Sequence, residues 1–82
     1  MSVTNNEKLI GAFCAGLGIK PEIVVDGLKY NAIPEWDSVA HMVLITELEN
    51  AFDVMLETDD IIDMSSVARA REILGKHGVA FA

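Results

Sequence analysis

Residues 35–52 read EWDSVAHMVLITELENAF, and this stretch decides the fold. Asp37 and Ser38 are ordinary helix-start residues, because their side-chain oxygens can accept from the free N–H groups of a first turn. From Ser38 to about Phe52 the apolar spacing is helical. At about 100° per residue, His41, Leu44, Ile45, Leu48 and Phe52 share one face, which is predicted to pack inward. The opposite face carries Val39, Ala40, Val43, Glu47 and Asn50, and two valines near a helix start suggest a docking surface there. Ser38 then has two compatible readings. It is part of a helix start, or it is also a site of covalent attachment.

The flanking sequence extends the helical pattern. Thr4-Asn5-Asn6-Glu7 reads as a capping box, with Thr4 as N-cap and Glu7 reaching back. Leu9, Ile10, Phe13 and Leu17 follow at helical spacing, with Cys14 or Ala15 expected on the buried side, and Gly16 and Gly18 are expected to end the helix. Residues 18–37 form a long connection containing Pro21, Gly27 and Pro34. Its apolar anchors Ile19, Ile23, Val24, Leu28, Ile33 and Trp36 imply a loop packed across a bundle, with one helical turn near Pro21–Val25. Residues 58–63, TDDIID, predict a brief helix with Ile61 and Ile62 turned inward. Ser65 or Ser66 caps a last helix to about Lys76, with Val67, Ala70, Ile73 and Leu74 as its core stripe and Gly75 or Gly78 at its end. The tail GVAFA either packs Phe81 or frays. The expected fold is all-α: a small four-helix bundle of three main helices and one short one, occupying residues 1–82 as a single domain.

Composition limits the partners. An 82-residue chain that is 51% hydrophobic has enough apolar material for one core and not two. Its single cysteine, Cys14, excludes an internal disulfide and fits a reducing, cytoplasmic setting. No apolar run reaches membrane-spanning length, and the N-terminus lacks a signal-peptide layout. The formal charge is −7, and it is unevenly spread. Between Lys29 and Arg69 there is no Lys or Arg, yet nine of the thirteen acids fall there: Glu35, Asp37, Glu47, Glu49, Asp53, Glu57, Asp59, Asp60 and Asp63. Such a stretch repels a phosphate backbone, so nucleic acid is excluded as a partner, whereas a basic protein surface is attracted.

Chemistry within the chain is sparse. Cys14 and His41 are the only thiol and imidazole pairing of interest, and both are expected on core-facing stripes, where such residues pack and do not react. Two histidines and one cysteine are too few for a zinc site, and Asp59, Asp60 and Asp63 lack the spacing, glycine and terminal glutamate of a calcium loop. No enzyme and no metal site is expected. Ser38 remains. Nothing nearby would activate its hydroxyl, so a separate enzyme would have to attach a group, and a phosphate ester there would sit at the positive end of a helix.

With these residues in place, the chain resembles the acyl carrier proteins. Asp37-Ser38-Val39 is similar to the family's Asp-Ser-Leu attachment motif, followed by Leu44-Ile45 and by Glu47 to Val54, ELENAFDV. Asp59-Asp60-Ile61-Ile62-Asp63 matches the family's short acidic helix, and Ser65-Ser66-Val67 the start of its last one. The resemblance covers essentially the whole chain and implies a bundle of the acyl-carrier type. It implies a 4′-phosphopantetheine on Ser38, transferred from coenzyme A by a phosphopantetheinyl transferase, whose thiol holds acyl groups as thioesters. It also implies a monomer whose Asp37, Val39, Val43 and Glu47 meet the transferase and acyl-transferring enzymes with basic docking patches. The chain departs from the fatty-acid-synthesis pattern at Ala40 and Val43, where acids are usual, at His41, where a small residue is usual, and at Trp36, where glycine or alanine is common. These departures favour a specialised carrier, with aminoacyl or peptidyl carriers as the nearest neighbours. An unmodified acidic adaptor for a basic partner is the alternative of a different class.

Overall fold

Local capping defines where the chain turns helical. Residues 4–81 are described by a computed structural model. Among them are four α-helices: α1 (Asn5–Leu17), α2 (Ser38–Phe52), α3 (Thr58–Asp63) and α4 (Val67–Lys76), with a 3₁₀ turn at Pro21–Ile23. Thr4 caps α1 by accepting from the Glu7 N–H at 3.1 Å. The expected reciprocal bond takes another form, since the Glu7 carboxylate accepts from the Thr4 hydroxyl. Asp37 caps α2 by accepting from the Ala40 N–H at 2.8 Å, and Ser66, not Ser65, caps α4 by accepting from Arg69 N–H at 3.0 Å. The Asp60 carboxylate reaches back to the Glu57 N–H at 3.2 Å and closes the first turn of α3. Each bond satisfies a donor that the helix itself cannot.

The core follows the predicted stripes. Leu9 and Phe13 of α1, Leu44 and Leu48 of α2, and Val67, Ala70, Ile73 and Leu74 of α4 are fully or almost fully buried, joined by Trp36 and Met64 from the connections. α1 packs chiefly on α2. Their backbones meet at Gly16, where an added Cβ would stand 2.6 Å from Leu44 Cα. Gly16 is therefore a contact inside α1 and not its end. Gly18 ends the helix in the left-handed conformation, φ 66°, and donates its N–H to the Cys14 carbonyl at 2.8 Å.

The connection from 18 to 37 is packed, with Ile19, Val24, Leu28 and Trp36 buried. It also completes α4: the Leu28 carbonyl accepts from Val67 N–H at 3.0 Å, and the Ser65 carbonyl accepts from Tyr30 N–H at 2.9 Å. At the far end His77 caps α4, Gly78 follows with φ 90°, and Phe81 packs edge-on against Phe52 at 5.9 Å. Among the described residues no helix is long and apolar enough to cross a membrane.

Several inward assignments are corrected. Ile62 is 76% exposed while Ile61 is half-buried: the two point about 100° apart, and α3 turns Ile61 and not Ile62 towards the bundle. Ile23 is exposed at the end of the 3₁₀ turn, and Phe52 and Ile10 are only partly covered at the stripe edges. Cys14 is also half-buried, and Ala15 is exposed. The inward position belongs to Ala12, which completes the Leu9, Phe13, Leu17 stripe.

α3 is moored to α4 by Asp63–Arg69 and by His77 Nε2 to Asp60 Oδ2 at 2.8 Å. The hydrogen bond from His77, and secondly the Glu57 N–H, hold the Asp60 carboxyl below the usual carboxylate range. A depressed folded value means that this contribution to stability is present above the unfolded pKa of about 4 and is lost as pH falls through the lower folded value. In His77→Ala, Asp60 should titrate closer to an ordinary aspartate, as read from its side-chain carboxyl ¹³C shift. An unchanged curve would assign the depression to the Glu57 N–H alone.

Candidate functional site

Ser38 is the first residue of α2 and is exposed. Because Asp37 makes the cap bond, the Ser38 hydroxyl is left at the surface of the first turn. Beside it opens a cleft of about 290 Å³ between α2 and α3. Ser38, His41 and Met42 form one wall, Ile61, Ile62 and Met64 the other, and Tyr30 and Ser65 close the side nearest the long connection. The walls are mostly apolar because α2 turns its Met42 edge towards α3, where Ile61 and Ile62 are consecutive. Met42 and Ile62 of the cleft walls are exposed, and so are Val39 (73% exposed) and Val43, which share α2 with Ser38.

The inner end of the cleft is a buried polar device. His41 is buried and held at both ring nitrogens: Trp36 Nε1 donates to Nδ1 at 2.9 Å, and Nε2 stands 2.9 Å from the Ile61 carbonyl. An indole N–H can only donate, so Nδ1 is the acceptor and Nε2 carries the proton that Ile61 accepts. The imidazole thus joins the loop before α2 to α3 across the cleft floor. Trp36 is fully buried, stacked on His41 at an interplanar angle of 22° and edge-on to Phe13 at 5.4 Å. His41 is a satisfied core histidine, not a free base.

No family model, curated protein or solved structure matches the chain. Its chemistry therefore has to be read from the geometry alone.

The structure divides the acids that sequence groups together. Asp37 is a cap, Glu49 accepts from the Leu56 N–H at 3.0 Å and holds the turn after α2, and Asp60 and Asp63 face His77 and Arg69. With Glu57, which forms the other half of the α3 capping box, five of the nine acids in the lysine- and arginine-free stretch are committed within the fold. Glu47 borders a separate shallow groove against α1, with Lys8, Gly11 and Asn50. It lies nine residues from Ser38 along α2, about 13 Å by helical rise. Val39 and Val43, one and five residues after Ser38 on α2, are both exposed. Met42, Tyr30 and Met64 carry no signal in the sequence, and Ile62 was expected in the core and not at this site. Three of them come from other segments, and only the packing of α3 brings them to Ser38.

Cys14 lies on α1, away from the residues that line this cleft. Burial, and secondly the charge of Glu22, push its thiol above the ordinary value, which lowers the thiolate fraction a nucleophile needs. Among the described residues no three His, Cys, Asp or Glu side chains gather as a metal cluster would require.

Proposed function

We propose that the protein is a specialised acyl carrier that bears a 4′-phosphopantetheine on Ser38. The observation that carries this reading is an exposed serine at the first position of α2, freed from capping by Asp37, at the lip of an apolar cleft. The residues suit the group. Ser38 supplies the hydroxyl, the positive end of α2 suits a phosphodiester, and Met42, Ile61 and Ile62 offer apolar surface to whatever the arm brings back. When bound, the group supplies a thiol that carries acyl groups as thioesters. Attachment forms a bond from the Ser38 oxygen to the phosphorus of coenzyme A that bears the pantetheine, with adenosine 3′,5′-bisphosphate leaving and the serine proton passing to a base of the transferase. The chain's own part is to keep that hydroxyl accessible and to offer the exposed Val39, Met42, Val43 and Ile62 to its partners, a phosphopantetheinyl transferase and acyl-transferring enzymes. The apolar first turns of α2 favour a specialised acyl, aminoacyl or peptidyl pathway over housekeeping fatty acid synthesis.

Intact mass after incubation with coenzyme A and a promiscuous transferase tests this. The wild type should gain one phosphopantetheine. Ser38→Ala should gain none, while its stability stays within about 0.5 kcal/mol of wild type, as for an exposed position that makes no cap. No gain with several transferases would leave the alternative, an unmodified adaptor using the same exposed residues.

A further inference from the structure

We infer that the cleft beside Ser38 limits the cargo to short acyl groups, of about eight carbons, and that the Trp36–His41–Ile61 chain sets the limit. The inference rests on the carrier reading of Ser38. A volume of about 290 Å³ accommodates roughly ten non-hydrogen atoms at about 30 Å³ each, the share a water molecule occupies in the liquid. A thioester takes about three of those places, its carbonyl carbon among them, which leaves room for about seven further carbons. The walls fit such a cargo in kind as well as size, since Met42, Met64, Ile61 and Ile62 are apolar and the two methionines adapt to shape.

A longer chain would have to pass inward, between α2 and the core. That route is shut. His41 occupies it, bonded on one side to Trp36 and on the other to the Ile61 carbonyl of α3. Parting α2 from α3 would leave a carbonyl or an imidazole nitrogen unpaired in a buried place, which proteins avoid. Behind the imidazole stands Trp36, fully buried and packed against Phe13, which closes the way beyond it. Trp36 and His41 are therefore the residues that bound its cargo.

A chain-length ladder tests the limit directly on the cleft. In Ser38→Cys made in a Cys14→Ala background, alkyl methanethiosulfonates from methyl to dodecyl place one chain at the lip: the thiolate displaces methanesulfinate and forms a disulfide. Thermal midpoint and the single indole N–H resonance of Trp36 are read for each adduct. The midpoint should rise up to about octyl and then level off, with the Trp36 resonance fixed throughout. Adding His41→Ala, compared within its own series, should move the plateau to longer chains and shift the resonance with length. A midpoint that climbs steadily to dodecyl in the presence of His41, or one indifferent to chain length, overturns the limit. In parallel, the wild type is charged from acyl-coenzyme A of the same lengths by a promiscuous phosphopantetheinyl transferase and weighed. Absence of any mass gain sinks the carrier reading and the cargo inference with it, whereas a gain without the plateau sinks only the cargo limit.

Discussion

Gly16→Ala should destabilise the protein by about 3 kcal/mol, at the upper end of what overpacking a close contact costs. The reason lies in backbone geometry. The new methyl would stand 2.6 Å from Leu44 Cα and 3.0 Å from Leu44 N, and neither atom can swing aside as a side-chain tip could. Relief requires α1 and α2 to separate, and these helices share the largest part of the core, including Phe13, Leu44 and Leu48. Against a total stability of about 4–12 kcal/mol for a chain of this length, such a loss is a large fraction. It runs counter to propensity, since alanine is favoured over glycine inside a helix by about 1 kcal/mol. Urea denaturation should give a much lower midpoint at unchanged slope. Gly11→Ala is the control: it lies in the same helix with nothing within 4 Å of the added methyl, and it should be neutral or stabilising. Equal behaviour of the two variants would refute the close contact.

Gly16 also marks where sequence reasoning stops. A glycine near a helix end looks like a terminator, and only the approach of α2 gives it a different task. The helices themselves were legible because their signals are local. Asp37 and Ser66 cap where caps were expected, α2 runs from Ser38 to Phe52, and the Val67, Ala70, Ile73, Leu74 stripe is buried throughout. Errors fell where periodicity has too few residues to speak. In α3, six residues cannot say which of two adjacent isoleucines faces inward, and Ile62 emerged exposed on a wall of the cleft. Charge was similarly ambiguous. The acids of 35–63 look alike in sequence, yet Glu49, Asp60 and Asp63 spend their charge on a turn and on two ties to α4. The site was half legible. Ser38, Val39 and Val43 could be named because they are neighbours on one helix, whereas the far wall of the cleft, Ile61 to Met64 with Tyr30, depends on how two other segments fold back. Trp36 and His41 were noticed as unusual, but no spacing rule reveals that one donates to the other.

Their partnership leads to the largest effect expected of any single substitution. Trp36→Ala should cost about 4–5 kcal/mol, from about a third to all of the domain's stability. Three losses add. The largest wholly buried side chain goes, and with it the edge contact to Phe13 and the packing beneath Tyr30. A cavity then opens next to α2, which a short bundle cannot collapse around without moving the Asp37 cap one residue away. Finally, His41 Nδ1 loses its donor in a buried place, a deficit of about 1–3 kcal/mol on its own. Trp36→Phe separates these contributions. It keeps most of the ring volume and removes the N–H, so its cost should approach the polar deficit alone, about 1–2 kcal/mol. In that variant, His41→Leu should be far less harmful than it is in the wild type, because the imidazole has already lost its partner and a leucine needs none. The double-mutant cycle measures this coupling, expected at about 1–2 kcal/mol. Simple additivity of Trp36→Phe and His41→Leu would mean that the 2.9 Å contact contributes nothing to the fold. The floor of the cleft would then rest on ring packing, with no bonded chain from the loop before α2 to the carbonyl of Ile61.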